Sequence, residues 1–174
     1  AKIHAITAFI NLDRAAYQQQ VAETVKFLKY ARTVFESRGF EVQTIRISTQ
    51  PFPQYIQGLT PEQALAFFKD YDALASKNGF DASIGPALFS ADSPASEADL
   101  IPGILRNTKI LNASVVVAAE DGVRWAAVGA AARVVKKLSE TTPRSQGNFN
   151  FSAIAMVPPL TPFYPGSYHT GIGH

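Results

Sequence analysis

The residues best equipped to act on a ligand gather at one end of this 174-residue chain. His169 follows Tyr168 in "PPLTPFYPGSYHTG", a run of proline, glycine and aromatics that also carries Thr161. An imidazole titrates near neutrality and suits proton transfer. Glu120 and Asp121 form the chain's single adjacent acidic pair. A carboxylate there can serve as general base or cation ligand, and Asp121 can equally cap a helix. Arg124 follows, and can hold an anion together with a helix N-terminus or stay solvated. Asn11 and Asp13 stand where a first strand gives way to a helix. Asp13 reads as its N-cap, whereas the Asn11 amide either faces a ligand or closes the turn. Thr49 and Gln50 open "TQPFP", where two prolines hold the loop extended. They offer a hydroxyl and an amide to a polar substrate, or simply begin a stiff connection. His169 and His174 have no recognised metal-ligand spacing and no evident third ligand, so no metal site is predicted.

These residues share a setting because of the elements between them. Residues 2–11, "KIHAITAFIN", read as a buried strand. From Asp13 a stripe of Tyr17, Val21, Val25, Leu28, Ala31, Val34 and Phe35 repeats at helical spacing over about 25 residues, and Gly39 stops it. "FEVQTIRIS" alternates as a second strand. Thr60-Pro61 with Gln63 is a helix entry, and Asn78-Gly79 ends that helix. "FDASIGPALF" gives a third strand ending at Gly85-Pro86. A helix from Ser93-Pro94 follows, split or ended by Pro102-Gly103. "KILNASVVVAA" is a strand buried on both faces, "VRWAAVGAAARVVKKLSE" an Ala-rich helix, and "NFNFSAIAMV" a last strand. The order is β-α repeated about five times, which predicts an α/β fold with a parallel sheet in one domain. In such folds ligands lie at the carboxyl ends of strands, and Asn11, Thr49, Gln50, Glu120, Asp121, Arg124, Thr161, Tyr168 and His169 all fall there. His4 lies near the opposite end and is set aside.

Composition narrows the classes. A formal charge of +2, with basic residues scattered, argues against nucleic acid as a partner. No apolar stretch reaches a membrane span and no signal peptide opens the chain, so a cytoplasmic protein is expected. There is no cysteine, which excludes a disulfide framework, a thiolate metal site and thiyl chemistry within these residues. G-x-G-x-x-G after the first strand, Walker A, G-x-S-x-G and H-E-x-x-H are all missing from the sequence, which weakens nucleotide-dependent and standard hydrolase readings.

Three segments, "ITAFINLD", "RISTQPFP" and "NFNFSAIAMVPPLTPFYPGSYHTG", resemble the uncharacterised DUF711 family, also called UPF0210. The likeness runs in order along essentially the whole chain. It implies a fold like that of pyruvate formate-lyase and related glycyl-radical enzymes, a ten-stranded α/β barrel made of two five-stranded parallel halves. Members of that family are much longer, so the chain is expected to be an N-terminal half-barrel. The resemblance places Asn11, Thr49, Pro51, Pro158, Thr161, Pro162, Tyr168 and His169 around the barrel mouth. It brings no established activity, and fold likeness alone names no reaction. Without cysteine, and without the C-terminal region that carries the radical glycine, radical chemistry is not expected.

The expectation is an enzyme, or half of one, acting on a small polar or anionic metabolite. His169 and Glu120 are its catalytic candidates, with Asn11, Thr49, Gln50, Asp121, Arg124, Thr161 and Tyr168 binding substrate; the cofactor is unknown. The alternative is a non-catalytic metabolite-binding or regulatory subunit. A homo-oligomer, or pairing with a C-terminal half, is expected because half a barrel has unpaired edges.

Overall fold

The computed structural model describes residues 1–170. Six strands form one mainly parallel sheet: β1 (Lys2–Ile10), β2 (Glu41–Thr49), β3 (Asp81–Ala87), β4 (Leu111–Ala119), β5 (Gly122–Val123) and β6 (Phe151–Ala155). Between them lie α1 (Tyr17–Glu36), α2 (Phe52–Tyr55), α3 (Pro61–Asn78), α4 (Ser96–Asp99), α5 (Ile101–Arg106), α6 (Trp125–Thr141) and a 3-10 segment, Pro143–Asn150. β1 pairs β2, β2 pairs β3, β3 pairs β4 and β4 pairs β6, all parallel. The two-residue β5 is a short antiparallel return on β4. The α/β fold read from the sequence is what is observed.

Strand order decides where everything else goes. Each parallel strand is laid beside its predecessor without a reversal. With right-handed crossovers, an order that never reverses puts every helix on one face of the sheet. The core agrees: Val21, Val25 and Leu28 of α1, Phe67, Phe68 and Tyr71 of α3, Ile104 of α5 and Val134 and Leu138 of α6 join Ile45, Ile47, Ile84, Leu111 and Val115 of the strands in one cluster. The other face carries the alternate residues, held side by side by the register Arg46↔Asp81, Ser48↔Ser83↔Asn112 and Ser114↔Ser152. It is a face of short hydroxyl and amide side chains, unlike the aliphatic face under the helices. The segment after β6 folds back over it.

Local chemistry explains the well-placed elements. Thr60 and Gln63 form a reciprocal capping box at the start of α3, with Pro61 in the first turn, and Gly79 ends the helix in the left-handed conformation at φ 71°. Other expectations are corrected. α1 has 20 residues and starts at Tyr17. Asp13 instead closes the turn before it, its Oδ1 accepting from Ala15 N at 2.9 Å. Pro51 is extended (φ −48°, ψ 122°), but Phe52 and Pro53 begin the single turn of α2. Proline fixes φ in a range helices share, so it restricts the preceding residue more than the next. β3 runs through Gly85-Pro86 to Ala87, with a register shift between Ser83 and Pro86. The helix expected after Ser93 is two short ones, α4 and α5, and Pro102 lies in the first turn of the second. β6 starts only at Phe151, because residues 148–150 close the 3-10 segment.

Candidate functional site

The end of β2 is tied to the end of β1. The Gln50 amide makes two bonds to Leu12, accepting from its N–H at 2.7 Å and donating to its carbonyl at 2.9 Å. Gln50 is buried and acts as a backbone-mimicking clamp. Thr49 Oγ1 lies 3.1 Å from the Tyr55 hydroxyl, which also sits 3.1 Å from the Ile84 carbonyl as its donor. Burial drives the Tyr55 hydroxyl pKa well above its ordinary value. Asn11 is exposed, and its carbonyl accepts from the Gln20 amide. Asn11, Asp13, Arg14, Gln50 and Gln54 line a wide open cleft of about 630 Å³. The Arg14 guanidinium is held by the carbonyls of Tyr55 and Gln57.

The C-terminal segment forms a strap across the hydroxyl-rich face. Ser167 Oγ meets Ser48 Oγ at 2.8 Å, and Ser83 Oγ donates to the Ser167 carbonyl at 2.8 Å and to that of Pro165 at 3.3 Å. The Arg46 guanidinium lies 4.5 Å from the Tyr164 ring centroid. The strap closes on itself through Leu160 N–H to the Tyr168 carbonyl and Tyr168 hydroxyl to the Val157 carbonyl. His169 N–H donates to the Thr49 carbonyl at 2.9 Å, fastening the strap to the end of β2. His169 is 3% exposed. Burial lowers its pKa, so the imidazole is neutral at pH 7.

Beside the strap, at the carboxyl ends of β4 and β6, lies a second cleft of about 500 Å³. Its wall is an aromatic pair, Phe89 and Tyr168, edge to face with centroids 5.5 Å apart. Val116, Ile154, Val157 and Pro158 supply apolar surface, and Glu120, Asp121 and Arg124 line its polar side. Arg124 is not within α6 but precedes it. Its Nη2 lies 3.0 Å from Asp121 Oδ2, and its Nη1 donates to the carbonyls of Leu88 and Phe89 at 3.1 and 2.9 Å. Asp121 therefore holds Arg124 and gives α6 no side-chain cap.

The expected single mouth is thus two clefts with a strap between them. Glu120, Asp121, Arg124 and Tyr168 share one; Asn11 and Gln50 share the other. Thr49 is buried and turned to Tyr55, and neither Thr161 nor His169 is among the residues lining either cleft. His174 lies outside the described residues. Among the described residues no His, Asp or Glu cluster is arranged to hold a metal ion. Sequence reasoning missed Phe89, which read as the last apolar residue of a buried strand. It also missed the pairing of Ser48, near the end of β2, and Ser83, in the middle of β3, with Ser167 of the C-terminal segment; the one local signal was a serine inside an otherwise apolar strand at Ser83.

Parallel β-α units wound in one direction, with a strap and two clefts at the carboxyl edge, define an α/β protein with a mainly parallel sheet. The chain belongs to the DUF711 family, described as "Uncharacterised ACR", whose model matches residues 1–173. A UPF0210 protein of Pyrobaculum islandicum is 31% identical over 168 residues, covering 91% of this chain and 36% of the relative. One of Oenococcus oeni is 27% identical over 158 residues, covering 88% and 35%. The chain thus spans about a third of the length of the curated relatives it matches. Among the described residues no helix is long and apolar enough to cross a membrane.

Proposed function

We propose that this chain forms the N-terminal half-barrel of an α/β-barrel enzyme that acts on a small polar metabolite at the carboxyl edge of its sheet, in the cleft walled by Phe89 and Tyr168. The observation that carries this reading is the cleft itself. About 500 Å³ of space, a size suited to a small ligand, is walled by an aromatic pair and edged by an adjacent carboxylate pair. Glu120 is the carboxylate that meets the ligand. His169, kept neutral by burial, is the proton acceptor behind Tyr168. These 174 residues contain no cysteine and so supply no thiyl group to the reaction. A second half-barrel, from a longer chain or from another copy, completes the wall. The protein works in the cytoplasm without a nucleic-acid partner.

The burial of His169 favours a second reading, a non-catalytic metabolite-binding subunit, because a buried imidazole touches no ligand in the cleft. A metabolite library screened by thermal shift, with hits followed for turnover, separates the two. Hits that are consumed, and whose consumption is lost in His169→Ala while binding persists, support the enzyme. Hits that bind without turnover support the subunit. Hits unaffected by Tyr168→Ala refute the cleft as the site.

A further inference from the structure

Resting on the reading of the Phe89–Tyr168 cleft as a ligand site, we infer that it selects a small organic cation, an amine on a compact apolar body. The charge inventory drives this. Arg124 is the one cation among the lining residues described. Its Nε and Nη2 face Asp121 at 3.0–3.3 Å, and its Nη1 is taken by two carbonyls. Its side chain is only 16% exposed. A guanidinium with its donors already occupied has little left to offer an incoming anion.

Glu120 is the opposite case: its carboxylate has no hydrogen-bond or ion-pair partner among the described residues. Glu97 adds a further negative charge close by, its Oε2 accepting from Leu88 N at 2.9 Å. Two carboxylates and one guanidinium thus line the cleft, and Asp121 is the carboxylate already paired with Arg124. The feature that favours an anion is the amino end of α6, which has no side-chain cap. That end carries about half a unit charge, and the full charge of Glu120, left unpaired by Arg124, outweighs it.

The remaining walls suit an ammonium group on an apolar stem. Phe89 and Tyr168 make the wall aromatic, which suits a cation, and Val116, Ile154 and Pro158 line it with apolar surface for a hydrocarbon body. The Tyr168 hydroxyl already donates to Val157 and is not available as a donor to an anion.

Three matched probes test the selection: phenethylammonium, 2-phenylethanol and phenylacetate, titrated into the isotope-labelled chain at low ionic strength. Phenethylammonium is expected to shift the amide signals of Phe89, Ala119 and Tyr168 saturably, and to weaken as salt rises. Glu120→Gln should weaken it about twofold to fivefold, the scale of one exposed charge pair, without weakening 2-phenylethanol. Glu120 is exposed and partnerless, so an unchanged melting temperature shows that the variant is folded. Phenylacetate binding as tightly as phenethylammonium, or an unchanged affinity in Glu120→Gln, overturns the inference while leaving the cleft a site. If no probe shifts these signals, the cleft reading itself fails and the inference falls with it.

Discussion

Gly85 offers a quantitative test of how the carboxyl edge is assembled. It sits in β3 at φ 76°, and a Cβ built on it falls 2.4 Å from the Gln50 carbonyl oxygen, 2.7 Å from its carbon and 2.9 Å from Pro51 Cα. All three atoms are backbone, so no side chain can swing aside. Gly79 is a matched control, at φ 71° with nothing within 4 Å of its Cβ. In both, alanine must hold a left-handed backbone, at a cost of about 1–2 kcal/mol. Stiffening of the unfolded chain offsets about 0.4–1 kcal/mol of that penalty. Gly79→Ala should therefore lose about 1 kcal/mol. Gly85→Ala adds overpacking against rigid backbone, about 1–3 kcal/mol more. The difference between the variants should be about 2 kcal/mol, or about thirtyfold in the folding equilibrium. Urea unfolding followed by far-UV circular dichroism is the suitable assay, since Trp125 is 77% exposed and a poor reporter of the core. The midpoint should fall further for Gly85→Ala at an unchanged slope. Amides near the Leu12–Gln50 clamp should lose exchange protection in that variant alone. Equal destabilisation of the two variants refutes the close approach of β3 to the end of β2.

Other outcomes follow from the same contacts. Ser167→Ala leaves the buried Ser48 hydroxyl without its 2.8 Å partner and should cost about 1–3 kcal/mol, whereas Ser48→Ala with Ser167→Ala should cost less than the two separately. A double-mutant cycle by urea unfolding measures that coupling. Burial lowers the His169 pKa, so the unfolded chain takes up a proton first. That stability is present above the unfolded value of about 6.5 and is lost as pH falls towards the folded value. An NMR titration of the His169 ring should show a midpoint below 6.5, and a midpoint above it contradicts the buried setting. Arg124→Ala should cost more than Asp121→Ala, because it also releases the Leu88 and Phe89 carbonyls. About 1–3 kcal/mol is expected against about 0.2–1 kcal/mol for the exposed pair alone, measured by the same unfolding assay.

Much of the fold was legible because its signals are local. Thr60, Pro61 and Gln63 lie within four residues and declare a helix start whatever surrounds them. Gly79 declares its end in the same way. The α1 start was misplaced because Asp13 bonds its own turn, and an Asx turn resembles a helix cap in sequence. The candidate site was less legible. Gln50 looked like a substrate ligand, yet its amide is a clamp on Leu12, thirty-eight positions away. Arg124 looked open to an anion, but Leu88 and Phe89 take one arm of it from the loop after β3. Both side chains are satisfied by partners that no spacing rule connects to them.

The sequence by itself determined the alternation of strand and helix, the carboxyl-edge position of the polar loops and the family resemblance. Hydrophobic period, caps and stop signals act within one turn or one strand, so they survive translation into structure. Only the tertiary structure decided that the strands add in one direction, leaving a serine-rich face for the strap to cover. It also decided which charges on that edge are already paired. Strand order and charge pairing depend on contacts between segments far apart in the chain, and a linear pattern carries no term for them.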